Sequence, residues 1–209
     1  MGTAGALGTG SITLGNTGTM TPLFFQSTFG SNTLSNNITF ASGAVQTNLL
    51  ATAGINQVVT LSGLLSGGNS GATIFINNNA SSGVAKFKVT NASNTVLGTW
   101  KLNRGALEFT SDAALGNSAN DFTLDVTSSS AGTGLVFGAN NISLNSGRSV
   151  SVLSQTVIDT GTFTGSTIQG QITGSANIVR RGTTSLVPAN NTTTHSGGWT
   201  ITTAPAVGS

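Results

Sequence analysis

The side chains able to do chemistry are few. The chain holds a single histidine, five acids, seven Lys and Arg, two tryptophans and no cysteine among 209 residues. His195 stands in the polar run Asn190-Asn191-Thr192-Thr193-Thr194-His195-Ser196-Gly197-Gly198, and a partnership with Ser196 or Asp159 is the one nucleophilic arrangement it offers. No nucleophile elbow surrounds it, so a solvent-exposed turn residue is the expectation. Asp121 and Asp125 flank Thr123 with strand parity. Paired acids of this kind cleave glycosidic bonds when they converge on a sugar. With so few acids, a solvated ladder is expected of them, and of Glu108 and Asp112. Lys86 and Lys88 share a face opposite Ala85, Phe87 and Val89, and a solvated face is the expectation there too. Trp100 and Trp199 are the remaining candidates, either stacked in a core or exposed as platforms for sugar rings.

Composition excludes more. Without cysteine there is no disulfide, thiol nucleophile or Cys-ligated zinc. No cofactor motif is present and no metal-binding cluster of acids or histidines is expected. A net charge of +2 is too dilute for a nucleic-acid footprint. No run of about 18 apolar residues marks a membrane span. The segment Met1-Gly2-Thr3-Ala4 lacks the basic and apolar regions of a signal peptide, so a mature or excised segment is expected.

The elements that must position these residues are short strands. Gly (29), Thr (34), Ser (26) and Asn (21) make up more than half the chain, and charged residues only 6%. Helices need a charged outer face and strong helix formers, which this composition lacks. Alternation of apolar and polar residues recurs instead, at Ile12-Thr13-Leu14, Ile38-Thr39-Phe40, Val59-Thr60-Leu61, Val84 to Val89, Thr99 to Leu102, Ala106 to Phe109, Asp121 to Val126, Ile142-Ser143-Leu144, Val150-Ser151-Val152 and Trp199-Thr200-Ile201. Gly and Asn punctuate it, as tight turns require.

Self-comparison finds blocks that recur in order. Ala6-Leu7-Gly8 with Ile12-Thr13-Leu14 resembles Ala114-Leu115-Gly116 with Phe122-Thr123-Leu124. Asn36 to Phe40 resembles Asn140 to Leu144, Leu61 to Gly67 resembles Ile168 to Gly174, and Trp100-Lys101-Leu102 resembles Trp199-Thr200-Ile201. The spacing predicts about two copies of a unit of roughly a hundred residues, about 6–113 and about 114–209, in one continuous domain. Strands too short to cover their own apolar face are best served by stacking coil on coil. Scarce charge follows, because like charges aligned about 4.8 Å apart repel. At roughly 20 residues per coil, about ten coils would rise about 48 Å. Asn77-Asn78-Asn79 and Asn140-Asn141 could stack as amide ladders. Asn-x-Ser/Thr sequons fall at Asn37, Asn79, Asn91, Asn141 and Asn191, as expected by chance in such a chain. Joining one chain's end to the next would space Trp199 and the following Leu7 almost as Trp100 and Leu115 are spaced within the chain. That phasing motivates an open head-to-tail stack.

Trp100-Lys101-Leu102-Asn103-Arg104-Gly105-Ala106-Leu107-Glu108-Phe109, followed by Ser111-Asp112-Ala113-Ala114-Leu115-Gly116, resembles the autotransporter-associated β-strand repeat of bacterial passenger proteins. Ala176 to Ile201 resembles the preceding part of that repeat through Ile178, Gly182-Thr183, Leu186-Val187, Asn190, Gly197-Gly198 and Ile201. Arg180 stands where the pattern has Lys, Trp replaces Thr at 100 and 199, and Pro188 falls within a strand, where a coil corner or an edge would suit it. The resemblance implies a right-handed parallel β-helix displayed on a bacterial cell surface or outside the cell, with no catalytic residues.

The expectation is therefore an all-β, right-handed parallel β-solenoid of structural function: a surface spacer or fibre-forming unit whose partner is itself. A glycan-binding adhesin is the alternative, with Trp100, Trp199, Asn37 and Asn141 as its possible contacts. A polysaccharide-degrading enzyme is third. A β-sandwich pilin joined by donor strands is the competing fold.

Overall fold

A computed structural model describes residues 8–15, 20–27, 31–43, 45–53, 57–78, 86–126, 134–190 and 192–203. It is an all-β parallel solenoid. Every pair of neighbouring strands runs parallel, and the one helical turn among the described residues is the 3-10 turn Ala113–Leu115. Parallel neighbours throughout exclude the donor-strand sandwich.

The strands are numbered in chain order. The first sheet runs β1 (Ile12–Leu14), β4 (Ile38–Phe40), β7 (Leu65–Asn78), β9 (Leu97–Leu102), β11 (Phe122–Leu124), β14 (Val150–Val152), β17 (Ile172–Gly174). Two further strands, β2 (Met20–Ser27) and β5 (Gln46–Ala53), pair with each other and join it through β7. The second sheet runs β3 (Asn32–Leu34), β6 (Val58–Leu61), β8 (Lys86–Val89), β10 (Ala106–Phe109), β12 (Gly134–Phe137), β15 (Thr156–Asp159), β18 (Ile178–Arg181), β20 (Trp199–Thr202). The third holds β13 (Ser143–Leu144), β16 (Ser166–Ile168) and β19 (Leu186–Pro188). From β11 to β19 the strands visit the three sheets in turn, and β20 returns to the second sheet.

The period is the single coil. In the second sheet Val59, Phe87, Leu107, Leu135, Ile158, Arg180 and Ile201 stand in one column, and each coil takes up the interval between successive members. The interval from Phe87 to Leu107 is the shortest, and those from Val59 to Phe87 and from Leu107 to Leu135 are the longest. Eight strands of that sheet correspond to about 34 Å of rise at about 4.8 Å per step, fewer coils, most of them longer, than the about ten coils of roughly 20 residues expected. The hundred-residue comparison does not follow this register. Leu14 and Leu124 do share the first sheet, but Phe40 lies in the first and its counterpart Leu144 in the third. Trp100 lies in the first and Trp199 in the second. Leu7 lies outside the described residues.

Alternation puts one face of each strand inside. A continuous cluster of buried side chains runs from Leu14 to Ile178, with Trp100, Phe87, Phe109, Phe122 and Phe137 as its largest members. Phe109 and Phe137, one coil apart, meet edge to face with centroids 4.9 Å apart.

The corners explain the abundance of Asn and Gly. A turn preceding an inward strand residue leaves buried backbone groups that need partners. Asn94 accepts from the Leu65 N–H of the coil before it (2.7 Å) and donates to the Ala114 carbonyl of the coil after it (2.7 Å). Asn120 accepts from Gly98 N–H (3.0 Å) and donates to Val96 O (2.8 Å) and Leu115 O (3.0 Å). Asn36 donates to Gly8 O and Gly10 O. Where no side chain fits, glycine is needed: a Cβ on Gly170 would fall on the Arg148 carbonyl of the preceding coil. A second device recurs on the surface, where Asn69, Asn91, Asn117, Asn145 and Asn190 each accept from the N–H two residues on.

Candidate functional site

The charged side chains lie in one stretch. Residues 1–85 contain none, and all twelve fall between Lys86 and Arg181. β8 and β10 pair so that Lys88 faces Glu108 across the ladder. Lys86 Nζ lies 2.6 Å from Glu108 Oε2 and Lys88 Nζ 2.7 Å from Oε1, with the carboxylate largely buried. Burial by itself would raise the Glu108 pKa. Hydrogen bonds and charge from Lys86 and Lys88 outweigh that and hold its carboxyl below the usual value. These three side chains are thus a Lys–Glu–Lys clasp across two coils, not the solvated face and ladder their spacing predicts.

The other acids are also engaged. Asp125 pairs with Lys101 (2.8 Å), whose ammonium lies 5.5 Å from the centroid of the Phe75 ring. Asp121 accepts from Ser149 N–H of the next coil (2.8 Å), and Asp159 from Gly161 N–H (2.7 Å). Asp121 and Asp125 therefore serve different partners rather than converging on one point.

Asp112 belongs to the most connected polar cluster. Arg148, placed at the corner before β14, has no exposed side-chain surface. Its Nε lies 2.7 Å from Asp112 Oδ1. Its Nη1 donates to Asn117 O (2.7 Å) and Asn120 O (3.2 Å), and its Nη2 to Gly116 O (2.9 Å) and Asp112 O (3.1 Å). A planar guanidinium with five fixed donors suits a tight turn whose carbonyls converge. Gly116, at φ 83°, makes that turn where any Cβ would meet the Val96 carbonyl. No motif in the sequence marks Arg148. The available signal is its place two residues before Val150, the place Asn120 holds before Phe122 and Gly170 before Ile172.

The two tryptophans differ. Trp100 is fully buried, and its Nε1 donates to Leu115 O (3.1 Å), the carbonyl that Asn120 also reaches. It is a core residue and offers nothing to a ligand. Trp199 pairs with Ile178 in the last strand of the second sheet and is 39% exposed; Ile201, paired with Arg180, is 73% exposed. Together with Arg180, Leu186 and Pro188 they line an open groove of about 470 Å³. Pro188 ends β19, an edge strand, as its chemistry demands. His195 is half-buried rather than solvated. Its Nε2 lies 2.8 Å from Ala176 O, and its ring meets Trp199 edge to face at 6.0 Å.

Asn37 and Asn141 do not come together. Asn37 is exposed before β4 and its Oδ1 accepts from Leu64 N–H (2.9 Å). Asn141 is exposed before β13 in the left-handed region, at φ 57°. Asn140 accepts from Thr164 N–H (2.9 Å), a bond to backbone rather than to a neighbouring amide. Asn79 and Asn191 lie outside the described residues. The buried amides that stitch coils together are Asn36, Asn94 and Asn120 instead. Among the described residues no group of three or more His, Cys, Asp or Glu side chains is placed to hold a metal ion, and no helix is long and apolar enough to cross a membrane.

Comparison of the chain with known protein families, with curated proteins and with solved structures finds no match.

Proposed function

We propose that the protein is a structural solenoid, a spacer displayed outside the cell, related to the autotransporter-associated repeats that its sequence resembles. The observation that carries this reading is where its charge goes. Each of the five acids contacts a lysine, an arginine or a backbone N–H, and four of these contacts join residues of different coils. In a fold that catalyses, some of these groups would converge on a cleft. Here polar chemistry is spent on holding coil to coil.

The reading is tested on cells that make the protein, by brief proteolysis of intact cells followed by detection with an antibody against the chain. The expected result is a protein reached by antibody on unbroken cells and trimmed only slowly, because regular parallel ladders open rarely. Detection only after lysis would contradict surface display, and rapid degradation of the purified chain would contradict the structural role.

A further inference from the structure

We infer that the step from β8 to β10 is an acid-sensitive joint, at which protonation of Glu108 loosens the coils before it from those after it. Such a joint needs the stacked coil but not the surface display proposed above, so either can fail alone.

The joint sits at a boundary in the sequence. Residues 1–85 hold no Asp, Glu, His, Lys or Arg, and the chain has no Tyr or Cys, so no side chain before Lys86 titrates. Backbone ladders and apolar packing hold those coils. The Lys86–Glu108–Lys88 clasp is the first ionic contact between one coil and the next. Each ammonium holds a different oxygen of the same carboxylate, at 2.6 and 2.7 Å. The side chains of Lys86, Lys88 and Glu108 are only 14%, 31% and 9% exposed, so water replaces a lost partner poorly.

No other acid can stand in for Glu108. On β6 the register partners of Lys86 and Lys88 are Val58 and Thr60. On the far side of β10, Glu108 meets Val136 of β12, a strand without charge. Asp159 and Arg181 follow in that column one and two strands further on. Arg104, just before β10 in the chain, adds only positive charge. Protonation of Glu108 therefore leaves two ammoniums with no acid facing them among the described residues.

The other ion pairs keep a second hold. Lys101 retains the Phe75 ring when Asp125 is protonated, and Arg148 retains four backbone carbonyls when Asp112 is. Lys86 and Lys88 have no such reserve among the described residues. Burial alone would raise the Glu108 pKa, but the two lysines hold it below the ordinary value. The stability this carboxylate contributes is thus complete above the ordinary glutamate range and is lost as pH falls through the depressed value. Mild acid leaves the joint closed and strong acid opens it.

Hydrogen exchange of the whole chain, read by mass spectrometry and corrected for the intrinsic pH dependence of exchange, tests the joint at about pH 7, about pH 5 and about pH 3. In the native chain the amides of β8 and β10 are expected to exchange about tenfold faster or more at about pH 3 than at about pH 5, the factor that one unit of pH below the folded pKa supplies. Those of β14 to β17 should change far less. Glu108→Gln should bring fast exchange to β8 and β10 at every pH. Lys86→Met with Lys88→Met and Glu108→Gln removes every charge of the clasp and should exchange slowly at every pH, because apolar groups of similar size can replace a buried ion pair. Circular dichroism shows which variants fold, and the triple variant decides the matter if Glu108→Gln does not. Unchanged exchange of β8 and β10 at about pH 3 in the native chain overturns the joint, as does equal acceleration in all coils. Acceleration that persists in the triple variant also overturns it, by placing the acid response at another carboxylate. Each of these results leaves the spacer reading standing.

Discussion

Replacing Arg148 by methionine is expected to remove about 3–5 kcal/mol of unfolding free energy, the usual consequence of breaking a buried, hydrogen-bonded ion pair by deleting one partner. Methionine fills much of the same volume, so the loss reports the missing donors rather than a cavity. Four carbonyls, those of Asp112, Gly116, Asn117 and Asn120, lose a partner at once, and Asp112 loses its counter-charge. Arg148→Lys should recover only part of the loss, because an ammonium cannot present the planar fork these carbonyls occupy. Urea unfolding followed by circular dichroism measures both. A change within about 0.5 kcal/mol for Arg148→Met, the range of an ordinary surface substitution, would show that the bonds from Arg148 to Asp112 and the four carbonyls are not formed.

The tryptophans give the second large effect and an internal control. Trp100→Ala is expected to cost about 3–5 kcal/mol, since it empties a fully buried site and leaves the Leu115 carbonyl with one donor fewer. Trp199→Ala, in the monomer, should cost well under half as much, because the indole is already partly in water. Equal losses at the two positions would restore the equivalence that the sequence blocks propose and the register denies. The same urea titrations decide it.

That pair shows what was legible and what was not. Alternation at Ile38-Thr39-Phe40 and Val150-Ser151-Val152 marks strands correctly, because a two-residue period reports burial directly. The strands Gly134–Phe137 and Thr156–Asp159 escape it. Their residues are buried on both faces, with Ala106, Val136 and Val157 forming a second apolar cluster outside the main core, so alternation vanishes there. The stacked parallel coil was legible from short strands, turn residues and scarce charge. The length of each coil was not, because corner turns absorb different amounts of chain from one step to the next without changing the inward columns. The step from Leu107 to Leu135, for example, is longer than the one from Phe87 to Leu107.

Among the polar residues, position matters more than type. Asn37 and Asn141 stand out by their sequons and their doublets, yet the stitching falls to Asn36, Asn94 and Asn120, each two residues before an inward apolar residue. The same rule finds Arg148 and Gly170 once the coil length is known. The acids mislead because their rarity suggests exposure. A carboxylate one coil from a lysine sits only about 4.8 Å away along the stack, near the reach of an ion pair, and sequence separation hides it.

Engineered disulfides between columns test the central claim, that successive coils lie in parallel register, most directly. The chain has no cysteine, so any bond formed is the designed one. Thr123 and Ser151 are register partners on the outer face of the first sheet, and Lys88 and Glu108 on that of the second. Strands about 4.8 Å apart lie within disulfide range. Under mild oxidation, Thr123→Cys with Ser151→Cys should close nearly quantitatively, as should Lys88→Cys with Glu108→Cys. The mismatched pair Thr123→Cys with Glu108→Cys, which joins different sheets, should stay reduced. Failure of both matched pairs, or equal closure of the mismatched one, would contradict the stacked coil on which the account stands.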